Sequence, residues 1–186
     1  MDRDRKLSDG GFTLSGSRLR GGTMIAEMLD GAVFLTPSPG FGHQDAVLNL
    51  AALLRQACPP GLRVVLAPFA VRLGEQTELR PDVLVARYVD LTRDELTAPP
   101  LLAVEVRSPS SGLIDRSLKK SVYARYRVSC YWLMDPDTPS LTVYELGEEG
   151  EYIGVAHAVG SQPYTAVRPF PVTVVPVELV AGLRPG

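Results

Sequence analysis

Two cysteines and two histidines among 186 residues leave little for soft-metal chemistry. Cys58 and Cys130 are too few and too far apart for a zinc motif or a disulfide framework, and they read as two buried free thiols. No apolar run is long enough to span a bilayer, so no membrane partner is expected. The charged start MDRDRKLSDG carries no apolar segment of the signal-peptide kind, and a cytoplasmic location is expected. Neither sign of charge dominates. Nineteen Lys and Arg against 21 Asp and Glu give a net charge of −2 and a pI of about 5.7, a total that counts mildly against a nucleic-acid binder. No internal repeat or low-complexity tract occurs, which excludes solenoid and array architectures.

What is present is ordinary for a globular protein: 45% hydrophobic and 22% charged residues, in a length that can bury a core without staples. Residues 1–20 are polar and Gly/Ser-rich and read as a loose arm, leaving 21–186 as a single domain. A short helix is expected over Thr23–Leu29, stopped by Asp30-Gly31, then a strand over Ala32–Thr36. His43, Val47, Leu50, Ala51 and Leu54 recur at the helical period until Pro59-Pro60-Gly61 ends the pattern. Strands are expected at Arg63–Ala67, Phe69–Leu73, Asp82–Arg87 and Leu101–Val106. A second helix follows from Asp115 to Arg127, then strands at Cys130–Met134, Leu141–Leu146 and Tyr152–Ala158. Short extended pieces near Ala166 and at Val172–Val175 and a helical turn at Val177–Leu183 complete the chain. Helices flanking a central run of strands imply an α/β (α+β) sandwich with a mixed sheet and not an alternating doubly wound one.

The segment LLAVEV is apolar except for Glu105 and reads as a strand covered on both faces. Two readings of Glu105 stand on this strand alone: an exposed terminus, or a carboxylate that is paired or binds a cation. Asp82 separates them. It opens DVLVAR just after Arg80-Pro81, where proline is tolerated. An antiparallel register that matches Ala86 to Leu101 also matches Asp82 to Glu105, setting two carboxylates side by side at one edge of a buried sheet. Like charges there repel unless one is protonated or a cation bridges them. Oxygen ligands suit Mg²⁺, with Mn²⁺ as its substitute, more than zinc. On the second helix, Leu118, Val122, Tyr123 and Tyr126 share an arc of roughly 140°, with Lys119 inside it and Lys120 outside. Lys119 is then either an inward ammonium, able to stabilise developing charge, or a snorkelling side chain at the edge of the arc. Arg107, Arg116, Lys119, Lys120, Arg125 and Arg127 face a single acid, Asp115, over this stretch. Such a run is a solvated face unless it adjoins a site.

The stretches RPDVLVARYVDL, LLAVEVRSPSSG and DRSLKKSVYARYRVSCYWLMDPDTPSLTVYEL resemble a large bacterial family of restriction-endonuclease-like proteins long known as a domain of unknown function. That family is built on the PD-(D/E)XK nuclease core. AEMLDGAVFLTPSPGFGHQ is similar to its opening Glu-x-x-x-Asp-Gly motif with Ser-Pro and His-Gln, and PFPVTVVPVEL to its tail. The likeness runs from Gly22 to Leu183. It implies a restriction-endonuclease-like fold, with a mixed curved β-sheet flanked by helices. It also implies a metal held by Asp82, Glu105 and the Val106 carbonyl, and a glutamate on the first helix, Glu27, close to the site. The position of the superfamily lysine holds Arg107. The family pattern Asp-Arg-x-x-Lys-x-x-x-Tyr, matched by Asp115, Arg116, Lys119 and Tyr123, places the lysine on the following helix.

The resulting expectation is an Mg²⁺-dependent endonuclease acting on nucleic acid, most simply DNA. Asp82, Glu105, Lys119 and Glu27 are its catalytic residues. Arg107, Arg116 and Lys120 contact the nucleic acid, and a homodimer is the arrangement suggested by analogy. His43 reads either as a buried histidine or as part of the rim. Gln44 and Asp45 read as helix-start residues, the SPSSG segment as a turn, Tyr131 and Trp132 as core, and GEEGE as a hairpin tip. Two other classes stay open: a nuclease fold that binds without cutting, and a small-molecule hydrolase such as a glycosidase using the same carboxylate pair.

Overall fold

A computed structural model describes residues 17–19, 22–108 and 114–183. Its centre is a six-stranded mixed sheet of β4 (Leu62–Leu66), β7 (Val83–Arg87), β9 (Leu102–Val106), β10 (Cys130–Asp135), β11 (Ser140–Leu146) and β12 (Tyr152–Val159). The spatial order is β12-β11-β10-β9-β7-β4, and only β9 and β10 run parallel. All five residues of β9 and all six of β10 are buried, as their unbroken apolar runs require of strands covered on both faces. The expected register is present: Val83 pairs with Val104, Leu84 with Ala103 and Val85 with Leu102.

Alternation along these strands assigns each face its cover. One face carries Val83, Val85, Val104, Trp132, Met134 and Val143. It packs against Val47, Leu50 and Leu54 of α1 (Phe41–Ala57) and against a closing segment with Val174 and Leu179. Leu50 and Leu54 are fully buried, so truncating either to alanine costs about 2–5 kcal/mol. The closing segment comprises the hairpin β13 (Tyr164–Ala166) and β14 (Val172–Val174) and a 3-10 helix, Pro176–Leu183. The opposite face carries Ala103 and Tyr131 against Val122 and Tyr123 of α2 (Lys120–Arg125) and against Leu29 and Leu79 of a second sheet. That sheet joins β1 (Ser17–Leu19), β2 (Gly22–Leu29), β6 (Thr77–Leu79), β5 (Ala70–Gly74) and β8 (Glu95–Leu96), with β3 (Ala32–Pro37) on the other side of β2. Among the described residues no helix is long and apolar enough to cross a membrane.

The helix expected over Thr23–Leu29 is a strand. Asp30 and Gly31 have φ of 51° and 82°, the pair of positive angles that closes a two-residue hairpin, so they turn β2 into β3 and do not stop a helix. The second helix is shorter than expected. A π-helical segment, Ile114–Lys119, runs into α2 and ends at Arg125. Strands β6 and β8 have only three and two residues, too short to leave a period in the sequence. Cys130 is buried, whereas Cys58 is half-buried, and both are free thiols. Of the expected arm, only Ser17–Leu19 lies among the described residues, paired with β2; the rest lies outside them.

Candidate active site

The β7–β9 ladder ends at Val83 and Val104, and the next residues in register are Asp82 and Glu105. Asp82 stands at the bend before β7, where its side chain replaces a missing backbone partner: Val106 N–H donates to Oδ2 at 2.7 Å. Its Oδ1 lies 3.1 Å from His43 Nε2 in the first turn of α1. The α1 layer therefore reaches Asp82 from one side of the sheet while Glu105 points to the other.

Glu105 is 2% exposed. Tyr123 Oη donates to its Oε1 at 2.8 Å and Lys119 Nζ to its Oε2 at 3.1 Å. Burial, then the charges of Glu105 and Glu27, push the Tyr123 hydroxyl well above the usual tyrosine range, which keeps it a donor. Lys119, itself 5% exposed, makes a second ion pair with Glu27 Oε2 at 2.8 Å. Glu27 comes from β2 in the second sheet, and its Oε1 accepts the Arg80 N–H at 2.7 Å. Arg80 lies between β6 and β7, where the chain passes from one sheet to the other. Its guanidinium donates to the Ala26 carbonyl and pairs with Glu78.

Glu27, His43, Arg80, Asp82, Glu105, Val106, Ser108 and Lys119 thus meet around one cavity of about 40 Å³, roofed by Phe34, Thr36, Pro37 and Pro39. Sequence reasoning placed Asp82, Glu105, Lys119, Glu27, Val106 and His43, and the structure brings all six together. Glu27 arrives on a strand and not on a helix, because the Asp-Gly pair folds β2 onto β3. His43 is largely buried and also belongs to the cavity wall. Arg107 is turned away, pairing with Asp135 on β10. Lys120 lies 3.7 Å from the centre of the Tyr144 ring, outside the cavity. The side chain of Arg116 and the SPSSG turn beyond Ser108 lie outside the described residues. Two contributors were missed. Tyr123 sat in the inward arc and in the family pattern but was given no part in the site, and Arg80 was read only as the residue before Pro81.

The donor set suits a hard divalent cation. Three carboxylates share the cavity with the Lys119 ammonium and with Arg80, whose guanidinium pairs with Glu78, an excess of acid that favours an added cation. A carboxylate offers about four acceptor directions, and the Asp82 bonds described above use two. Among the described residues no three His, Cys, Asp or Glu side chains cluster closely enough to cage an ion. An ion here would be held by Asp82 and Glu105 and completed by water, the habit of Mg²⁺.

The sequence matches the family model Uma2, described as "Putative restriction endonuclease", over residues 18–178. The chain belongs to the Uma2 family. Among solved structures it is similar to a protein of Anabaena variabilis described as a putative nuclease of the domain family DUF820. The two share 18% identity and a TM-score of 0.65, over 86% of this chain and 91% of the other. That likeness fixes the fold as restriction-endonuclease-like. No functionally curated protein matches the sequence. Within the Uma2 match fall all the cavity residues named above, from Glu27 to Lys119.

Proposed function

We propose that this Uma2 protein is a cytoplasmic, Mg²⁺-dependent endonuclease that hydrolyses phosphodiester bonds in DNA. The observation that carries the reading is the meeting of Asp82, Glu105 and Lys119 in one small cavity at the end of a buried sheet. Asp82 and Glu105 would hold the ion, with the Val106 carbonyl as a third ligand. A bound divalent ion supplies an acidified water and offsets charge on the scissile phosphate. Lys119 sets a fixed positive charge beside Glu105, where it can orient the attacking water or stabilise the negative charge that develops at phosphorus. Tyr123 holds Glu105 in one rotamer through its hydroxyl, and the Val106 N–H and His43 hold Asp82. Arg80 fixes Glu27 from the backbone.

One observation favours a second reading, a fold that binds nucleic acid without cutting it: all four carboxylate oxygens of Asp82 and Glu105 already engage protein groups. Both readings meet the same experiment. Supercoiled DNA is incubated with wild type and Glu105→Ala, purified identically, in Mg²⁺, Mn²⁺, Ca²⁺ or EDTA. Wild type should nick DNA in Mg²⁺ or Mn²⁺, stop in EDTA, and bind without cutting in Ca²⁺. Loss of Glu105 should slow cleavage at least ~100-fold, about 2.7 kcal/mol. Cleavage that survives in Glu105→Ala sinks the mechanism. Binding without cleavage in every metal selects the non-cutting reading.

A further inference from the structure

We infer that Glu27 is the positioning residue of Lys119 and not a ligand of the divalent ion. The cavity then takes one ion, and the lysine ammonium fills the ground between Glu27 and Glu105 that a second would need. The inference rests on the metal-site reading of Asp82 and Glu105. Glu27 is 4% exposed and each of its oxygens is engaged: Oε2 with Lys119 Nζ at 2.8 Å, Oε1 with the Arg80 N–H at 2.7 Å. Of the two carboxylates on Lys119, Glu27 is the nearer; Glu105 stands at 3.1 Å.

A buried ammonium is tolerated only while its charge is matched. Glu105 gives up part of its charge when it ligates an ion, and Glu27 then keeps the ammonium compensated and in place. Position in the fold separates the two roles. Asp82 and Glu105 are register neighbours of the central sheet, whereas Glu27 stands on β2 of the second sheet and enters the cavity wall beside the lysine that it pairs with. Arg80 ties the two sheets together by holding Glu27 with its N–H and the Ala26 carbonyl with its side chain. The lysine is therefore fixed by the docking of one sheet on the other, and the two ligands by the pairing of adjacent strands.

The test uses the full chain as wild type, Glu27→Gln, Lys119→Met and the double variant. Each is titrated with Mn²⁺ by calorimetry, assayed on plasmid DNA and melted in EDTA. Wild type should take up one Mn²⁺. Glu27→Gln should keep that stoichiometry and an affinity within ~3-fold, while kcat falls ~10-fold or more at unchanged KM. The double variant should cleave no more slowly than Lys119→Met, because the two residues act as one unit. Lys119→Met should gain a second Mn²⁺ that the double variant does not. Two ions in wild type, or an affinity in Glu27→Gln reduced ~10-fold or more, would make Glu27 a ligand and overturn the inference. Absence of Mn²⁺ binding by wild type would instead overturn the metal site itself. Melting in EDTA then decides the pairing. A Tm restored in the double variant relative to Lys119→Met upholds it, since the orphaned carboxylate is gone; additive losses overturn it.

Discussion

Two ion clusters, each built on a buried glutamate, lie on either side of Arg80. In one, Glu78 and Glu95 face Arg72 and Arg80: Arg72 donates to Glu78 at 2.6 Å and to Glu95 at 2.9 Å, and Arg80 forms an ion pair with Glu78 at 2.6 Å. Two carboxylates meet two guanidiniums and the charges cancel. In the other, Lys119 pairs with Glu27 and Glu105 while Asp82 meets His43, and the three acids outnumber the ammonium around a cavity that Arg80 also lines. Glu78 is as deeply buried as Glu105, at 1% and 2% exposure, so depth alone does not mark a site. The imbalance and the open space do. A closed charge account holds a fold together, whereas an acid excess around a void calls for a cation from outside.

The largest effect should come from breaking the balanced cluster. Glu78→Ala leaves the Arg80 guanidinium, only 10% exposed, without its carboxylate. Removing one partner of such a buried pair costs about 3–5 kcal/mol, read from urea unfolding. Mn²⁺ affinity in the folded variant should stay within ~3-fold of wild type, because Glu78 does not line the cavity. A large loss of Mn²⁺ binding would show that the two clusters are one.

Tyr123→Phe tests the other cluster with a smaller change. It removes only the hydroxyl that donates to Glu105 and leaves a buried carboxylate oxygen short of a partner. Stability in EDTA should fall by roughly 1–3 kcal/mol. Saturating Mn²⁺ should recover part of that, since an ion satisfies the same oxygen and stabilises the state that binds it. An equal loss with and without Mn²⁺ would make Tyr123 a packing residue that happens to touch Glu105.

This division explains what the sequence could and could not show. The placing of Asp82 beside Glu105 was legible because each acid stands at the end of an apolar strand, and an antiparallel register that matches Ala86 to Leu101 brings both ends to one edge of the sheet. The inward placement of Lys119 was legible from its place in the arc with Leu118, Val122, Tyr123 and Tyr126. Glu27 was misplaced on a helix, although Asp30-Gly31 is itself a strong hairpin signal between alternating residues. The balanced cluster was invisible. Glu78 lies on a three-residue strand, and its partners Arg72 and Arg80, with Glu95 on the far side of Arg72, assemble only when β5, β6 and β8 come together. Arg107 shows the same limit: its partner Asp135 lies across the β9–β10 pairing, where sequence spacing says nothing.

That Arg107–Asp135 pair gives a pH test at two groups that do not line the cavity. Burial pushes the Asp135 carboxyl up, but the N–H and hydroxyl of Thr138, then the charge of Arg107 and the Asp137 N–H, outweigh it and hold it below the usual carboxylate value. A depressed folded-state value contributes stability above the unfolded pKa of about 3.9, and that contribution is lost as pH falls through the folded value. In urea unfolding from pH 6 down to pH 3, the gap between wild type and Asp135→Asn should therefore narrow below about pH 4. A gap that stays constant with pH would mean that shape, and not charge, is what Asp135 supplies.

The smallest effect belongs to the lysine next to the one that matters most, and it sharpens the comparison at a single peptide bond. Lys119 is buried between two carboxylates, whereas Lys120 covers the Tyr144 ring at 3.7 Å and is partly exposed. Partial burial lowers the Lys120 ammonium and the nearby Glu151 opposes that shift. Lys120→Ala loses a half-exposed cation–π contact worth roughly 0.5–1 kcal/mol of stability. It should leave kcat and Mn²⁺ binding as they are, because no cavity group depends on it. Any contribution to DNA is through charge alone, so binding should weaken about 2- to 3-fold at low salt, with a slope of log K against log salt shallower by roughly one. The measurement is DNA binding in Ca²⁺ across a salt series, beside cleavage rates at saturating DNA. A fall in kcat comparable to that of Lys119→Met would contradict the buried placement of Lys119 and move the active ammonium one residue along the helix.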